Sequence, residues 1–303
     1  MLNYAGLHLA EQRGTMTKIQ SPQAGQCRGL ADYHVHTVAS VDGRVPAADY
    51  IEPAVSLGLR EIGFADHVDL DPRDPGCGYF DYARYCREVA AAEAVAAGRL
   101  TIRTALEITY QSSREEQIRH FLADKEVDYC LGSAHLIEDT GGWCNVSEPE
   151  TPVVYYAVRD KRTVYAQYWA EIRAAIASGL FELLAHLDLI KRYAIRAYGP
   201  FRPDEFADEI RDVLRLAIAR GVGLEINASG WRQPPEEPYP ALTILRWYRE
   251  MGGEILTLGS DVHWLPHLCY GLPEAAALAR AAGFKAVALF ARRHLVGWLD
   301  LPA

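Results

Sequence analysis

The stretch Asp32-Tyr33-His34-Val35-His36 is a short apolar run broken by two histidines spaced two residues apart. On a β-strand that spacing sends both imidazoles to one face, so a single strand would offer two nitrogen ligands. The pattern recurs along the chain. Later strand-like segments also stop on His, Asp or Glu: Phe64-Ala65-Asp66-His67, Thr104-Ala105-Leu106-Glu107, Leu131-Gly132-Ser133-Ala134-His135, Leu183-Leu184-Ala185-His186 and Leu258-Gly259-Ser260-Asp261-Val262-His263. The series predicts a metal site assembled from strand ends.

Around these segments, short apolar runs alternate with amphipathic ones, the signature of βα units and a parallel sheet. The spacing predicts strands over 30–36, 61–66, 101–108, 127–135, 182–186, 222–227 and 255–260. Helices are expected over 47–57, 82–97, 113–124, 161–178, 203–220, 240–251 and 273–282, with Pro53 awkward inside the first. Gly58, Gly179, Gly221 and Gly283 stand where a left-handed C-terminal residue is wanted, and Pro203 and Pro273 suit a first helical turn. Residues 286–289 read as an eighth strand or an edge piece, and His294 falls in an expected last helix. Seven or eight such units fit an α/β class, single-domain closed barrel better than an open sheet. Function in such barrels sits at the C-terminal ends of the strands, where six of the ten histidines fall. Residues 1–28 lack any sustained period and read as a loosely held extension before a barrel domain over 29–303.

Composition narrows the function classes. Half of the 303 residues are hydrophobic, enough for a large core, and the formal charge of −9 with no Lys/Arg run argues against nucleic acid as the main partner. Six cysteines without a CxxC pair suggest reduced thiols in a cytoplasmic protein. No apolar stretch is long enough to span a membrane, and the N-terminus lacks a signal-peptide layout.

His, Asp and Glu without cysteine suit borderline divalent ions such as zinc, manganese or iron. The candidate ligands are His34, His36, Asp42 in the loop after the first strand, His67, Glu107, His135, His186, Asp261 and His263. Nine ligands exceed what one ion needs and can serve three if a carboxylate bridges; Glu107 is the natural bridge. Clustered cations acidify a bridging water and clamp the attacking and leaving oxygens of a phosphoryl group, which points to phosphoester hydrolysis. A monoester phosphate also needs cationic anchors. Arg162, Lys191, Arg192 and Arg232 are the candidates for substrate binding, with Arg192 and Arg232 favoured because they directly follow strand ends. Asp261 and His263, or a metal-bound water, are candidates for protonating the departing alkoxide. The aromatic-rich insertion over 140–158 would be a lid or plain loop packing.

The ordered series His-x-His, Gly-Phe-x-Asp-His, a lone Glu, Gly-Ser-x-His, His-x-Asp and Ser-Asp-x-His resembles the polymerase-and-histidinol-phosphatase (PHP) superfamily over residues 30–284. The insertion over 140–162, Ala185-His186-Leu187-Asp188-Leu189-Ile190-Lys191-Arg192, Leu224-Glu225-Ile226-Asn227-Ala228-Ser229-Gly230 and Tyr239-Pro240 are similar to its stand-alone histidinol-phosphatase branch. The resemblance implies a distorted (βα)7 TIM-like barrel with three divalent ions. By motif, the first ion takes His34, His36, Glu107 and Asp261, the second Glu107, His135 and His186, and the third Asp42, His67 and His263. It further implies hydrolysis of a small phosphorylated metabolite, L-histidinol phosphate, to L-histidinol and phosphate in histidine biosynthesis, without a covalent phosphoenzyme. Two other readings stand beside it: a phosphoesterase of this superfamily acting on a nucleotide, sugar phosphate or oligonucleotide end, and a noncatalytic metal-binding or regulatory barrel. The Trp264-Leu265 pair after the last metal motif and the unusual loop over 69–78 depart from the expected pattern. Oligomeric state is not legible.

Overall fold

β1 (Ala31–Val35) is buried along its whole length, as a strand covered on both faces must be. A computed structural model describes residues 21–302 and shows it as one of seven parallel strands. The others are β2 (Glu61–Val68), β3 (Thr101–Thr109), β4 (Tyr129–Ser133), β7 (Leu183–Leu184), β8 (Gly223–Asn227) and β9 (Leu256–Gly259), in the spatial order β1-β2-β3-β4-β7-β8-β9. The sheet curls until β9 meets β1. There the Asp261 N–H donates to the His34 carbonyl at 2.8 Å and the His36 N–H to that of Val262 at 2.9 Å. The buried Asp32 carboxylate accepts from both the backbone N–H and the hydroxyl of Ser260, stitching the same seam. The result is the expected distorted seven-stranded barrel.

β1 departs from simple alternation. Ala31 and Tyr33 pack inward with Ala65, Ala105, Tyr129 and Leu183, yet His34, the next residue, also faces the interior toward Glu107. The β1–β2 register shifts between Asp32 and Val35, and this irregularity turns the imidazoles of His34 and His36 inward above the tyrosine. Along β2 the alternation is regular. Gly63 is the inward position below Ala65 and His67; a Cβ there would lie 1.8 Å from the Tyr129 hydroxyl. The space belongs to that hydroxyl, which donates to the Tyr33 carbonyl at 2.7 Å.

The outer helices are α1 (Ile51–Leu57), α2 (Tyr82–Ala96), α3 (Glu115–Leu122), α5 (Lys161–Ser178), α7 (Ala207–Arg220), α8 (Leu242–Glu250) and α9 (Leu272–Ala281). Pro53 is accommodated because α1 begins only at Ile51, so the ring lies in a first turn, where an N–H has no helical acceptor to lose. The insertion forms a hairpin, β5 (Leu136–Asp139) with β6 (Gly142–Asn145), followed by α4 (Glu150–Ala157). α6 (Lys191–Tyr198), directly after the β7 segment, was not foreseen.

Two expectations for the C-terminus are corrected. Residues 286–289 do not extend the barrel: β10 (Ala286–Ala291) pairs antiparallel with β11 (His294–Asp300), and His294 opens a strand instead of lying in a helix. This hairpin plugs the N-terminal end of the barrel, with Phe290 packed against Tyr129 and its N–H donating to the Tyr33 hydroxyl at 3.2 Å. At the other terminus, residues 1–20 of the expected loose extension lie outside the described residues. Within the remainder, Gly25 and Cys27 donate to the carbonyls of Ser56 and Leu57, and Cys27 is fully buried, so this part docks onto α1. No helix among the described residues is long and apolar enough to cross a membrane.

Candidate metal centre

The parallel register places His67 beside Glu107 and Glu107 beside Leu131, so β2 and β3 present their polar residues in one layer at the C-terminal rim. Glu107 is 1% exposed and stands at the middle of the cluster. Its Oε2 lies 3.2 Å from His34 Nε2, 3.6 Å from His36 Nε2 and 2.9 Å from His67 Nδ1. Its Oε1 lies 2.7 Å from His186 Nε2 and 3.3 Å from His135 Nε2. Burial opposes ionisation of this carboxyl, but His67, His34 and His135 together hold it well below the usual carboxylate range.

The nine residues expected as ligands all converge here. Asp261 Oδ1 is 3.3 Å from His36 Nε2 and 3.8 Å from His34 Nε2. His135 Nε2 and His186 Nε2 face each other at 3.4 Å. His67 Nε2 and His263 Nε2 do the same at 3.4 Å, with Asp42 Oδ2 3.2 Å from His263 Nε2. Two of the backbones are bent for this purpose: His186 and Asp261 have φ of 26° and 54°, uncommon for residues with a Cβ and frequent at functional sites.

The outer nitrogens of the rings fix which atom faces inward. Ser40 gives its one hydroxyl proton to Asp66 (2.7 Å), so at 3.0 Å it can only accept from His36 Nδ1–H. Thr109 likewise donates to Asp69 (2.6 Å) and accepts from His135 Nδ1–H (2.8 Å). Glu225 receives His34 Nδ1–H at 2.6 Å and, through its other oxygen, the backbone N–H of His186 at 3.0 Å. Gly259 permits that contact, because a Cβ there would lie 2.0 Å from Glu225 Oε1. Each of these rings is backed by a carboxylate, directly at His34 and through a hydroxyl at His36 and His135, which fixes its orientation and raises the basicity of the inward nitrogen.

His36 Nε2 thereby becomes a lone pair, buried and without a hydrogen-bond partner, facing the oxygens of Asp261 and Glu107. Burial first, then His263 and His67, holds this imidazole well below its ordinary pKa, so a proton does not relieve the contact. At His34 and His67 burial is outweighed by the carboxylates, Glu225 and Glu107 for the first and Glu107 and Asp42 for the second, which hold the ring well above the ordinary imidazole pKa. The cluster therefore favours positive charge at its centre, as a cation among these donors would supply. The donors are imidazole nitrogens and carboxylate oxygens, which fit zinc, manganese or iron. His36, His67 and His263, then His34, His36 and Glu107, then His67, Glu107 and His135 each bring three such atoms within 4.8 Å of one another.

A cavity of about 560 Å³ opens over the cluster, and a side recess of about 110 Å³ adjoins it. Arg192 lines both, and Arg232 lines the recess, donating through Nη2 to the Asp261 carbonyl at 2.6 Å. Lys191 and Arg162, expected as further phosphate anchors, are not there. Lys191 is 1% exposed and held by Asp188, Glu237 and the Pro238 carbonyl, because α6 turns it toward the core and its neighbour Arg192 toward the site. Arg162, in the first turn of α5, points outward to Glu205 and Glu209. Residues missed from the sequence are Glu225, Thr109, Asp66, Ser40 and, in the cavity wall, Arg44, Asp69, Asp74 and Glu148. A lone Glu inside the apolar strand Leu224-Glu225-Ile226 is the same signal that singled out Glu107, and the unusual loop over 69–78 marked the segment that carries Asp69 and Asp74 without marking those residues.

A parallel barrel with imidazoles and carboxylates gathered on its C-terminal rim defines a metal-binding (βα)-barrel protein. The PHP domain family model matches residues 32–229, and the chain belongs to that family. A probable histidinol-phosphatase of Deinococcus radiodurans is 32% identical over 245 residues, 78% of this chain and 86% of that protein. One from Clostridium acetobutylicum is 26% identical over 260 residues, 84% of this chain and 95% of that protein. The fold is that of histidinol phosphate phosphatase from Lactococcus lactis, whose crystal structure holds zinc, L-histidinol and phosphate: TM-score 0.75 at 23% identity, over 89% of this chain and 99% of that one.

Proposed function

We propose that this chain is a metal-dependent phosphatase that hydrolyses L-histidinol phosphate to L-histidinol and phosphate, in the reducing cytoplasm and as a step of histidine biosynthesis. The named relatives support the substrate, and the observation that carries the metal dependence is the buried His36 Nε2 aimed at two carboxylates without a proton between them. The arrangement fits three divalent ions: His34, His36, Glu107 and Asp261 would hold one, Glu107, His135 and His186 a second, and Asp42, His67 and His263 a third. Such ions, when bound, acidify water and neutralise charge on the phosphoryl oxygens.

The protein's own groups do the rest. Arg192 and Arg232 present guanidinium N–H groups to the phosphate oxygens, whose planar geometry they match. Asp261 is kept as a carboxylate, burial being outweighed by His34 and His36, so it binds a cation or accepts a proton. With Asp261 ionised and His263 assigned to a cation, the proton for the departing alkoxide comes from the water the reaction consumes, which reaches the cavity where the His263 ring is one-quarter exposed. No serine, cysteine or aspartate nucleophile is needed, and no phosphorylated residue should be trapped during turnover.

The test is a panel of phosphomonoesters assayed with added manganese or zinc. L-Histidinol phosphate should lead the panel, and activity should vanish on chelation and return with metal. Sugar phosphates or nucleotides turned over far faster would reject the substrate; activity indifferent to chelation would reject the mechanism.

A further inference from the structure

The cavity over the metal cluster has walls of opposite charge. On one side Arg44 and Arg192 lead into the recess where Arg232 lies, and the Nη1 of Arg232 is buried without a hydrogen-bond partner. A buried guanidinium N–H left unmatched is an anion site waiting for its oxygen. The main cavity is also lined by Asp69 and Asp74, from the loop after β2, and Glu148, from the turn after β6, none of which lines the recess. Asp71 and Asp139 nearby are held by Arg73 and Arg159, whereas the groups bonded to Asp69 and Asp74 are neutral. Asp74 accepts only from the Gly76 N–H and the Asn145 amide, and Asp69 from the Thr109 hydroxyl. Glu148 is half-buried, and burial followed by the charges of Asp74, Glu150 and Asp42 pushes its carboxyl up to about 7. Three carboxylates sharing a partly dry wall repel one another, and a cationic group placed among them relieves that repulsion.

We propose that Glu148 and Asp74 are the specificity determinants of this site, receiving the cationic ammonium or imidazolium end of an amino-alcohol phosphate whose phosphoryl end lies at the arginines across the metal cluster. The inference rests on the phosphatase reading and adds to it the residues that select the alcohol. It also gives a role to the two segments that depart from the barrel pattern, the loop over 69–78, which contributes Asp69 and Asp74, and the insertion over 140–162, which contributes Glu148. Neutral or anionic alcohols would gain nothing from this wall, and a second phosphate placed there would be repelled.

The test compares the parent protein with Glu148→Gln and Asp74→Asn, loaded with manganese, on L-histidinol phosphate and on the neutral ester glycerol 1-phosphate. Each variant should lower the ratio of kcat/KM for the cationic over the neutral ester by about tenfold to a hundredfold, the scale of one charge-assisted hydrogen bond. The inhibition constant of L-histidinol should rise with it, while that of inorganic phosphate stays within twofold. A ratio unmoved in both variants, or inhibition constants for L-histidinol and phosphate that rise together, would overturn the proposal. A parent protein that hydrolyses both esters with no preference would overturn it too, while leaving the phosphatase reading standing. One that hydrolyses neither would remove the phosphatase reading itself.

Discussion

At the N-terminal end of the barrel interior, Tyr33 stacks on Tyr129 with ring centroids 4.7 Å apart, and the β10–β11 hairpin seats Phe290 beneath them. At the C-terminal end, on the same strands, imidazoles and carboxylates crowd within 4 Å of one another, and two of their inward atoms, His36 Nε2 and Asp42 Oδ1, lack a hydrogen-bond partner. The lower layer satisfies its polar atoms internally: the Tyr129 hydroxyl donates to Tyr33 O, and the Tyr33 hydroxyl to Glu61, which Arg103 holds from outside. The upper layer ties back the outer nitrogens of His34, His36 and His135 and aims the inner ones at one another. One end of the interior is arranged to hold the fold, the other to hold something absent from the chain's own chemistry.

If that division is correct, the two ends should fail differently. Replacing Glu107 by Gln removes the carboxylate charge shared by the subsites, and several kcal/mol of transition-state stabilisation correspond to a loss of about 10³-fold in kcat/KM. Bound metal should fall with it, by elemental analysis, while circular dichroism stays that of the parent. At the other end, Phe290→Ala should lower unfolding free energy by about 3–5 kcal/mol, read from the denaturant midpoint, with metal content retained below that midpoint. A Phe290 variant that folds normally but loses metal would erase the distinction.

Smaller changes sharpen the boundary between the two. Glu225→Gln keeps the shape but weakens acceptance from His34 Nδ1–H, and metal affinity or activity should drop by about 10–100-fold, as for other outer-shell partners. Gly259→Ala should reproduce that loss without touching a charged residue, because the added methyl collides with Glu225 Oε1. Equal activity in parent and Gly259 variant would show that the Glu225–His34 contact does not position the ligand. Arg162→Ala should change kcat/KM by less than about twofold and stability by less than about 0.5 kcal/mol, as befits an exposed side chain outside the cavity.

The sequence made the upper layer legible because its polar residues terminate strands, and strand ends can be read from apolar runs. All nine expected ligands meet, including Asp42 from an ordinary-looking Ser-x-Asp-Gly turn. What it concealed follows from tertiary placement. Lys191 and Arg192 are neighbours in sequence, and only the start of α6 at Lys191 decides that one turns inward to Asp188 while the other reaches the cavity. The rephasing of β1 after Tyr33 is a register event with no residue signature, since Tyr33 and His34 should by alternation face opposite ways. The hairpin over 286–300 read as a strand followed by a helix because β11 covers the barrel end with one face and leaves Leu295, Val296 and Trp298 half-exposed, so its burial pattern was not that of a core strand.

Metal stoichiometry decides the account most directly. Protein purified without chelator from metal-replete medium should carry three divalent ions per chain by elemental analysis, fewer after Glu107→Gln, and should recover phosphatase activity in step with their return. One ion or none in a folded, metal-replete chain, or full turnover on L-histidinol phosphate after the ions are stripped, would contradict it.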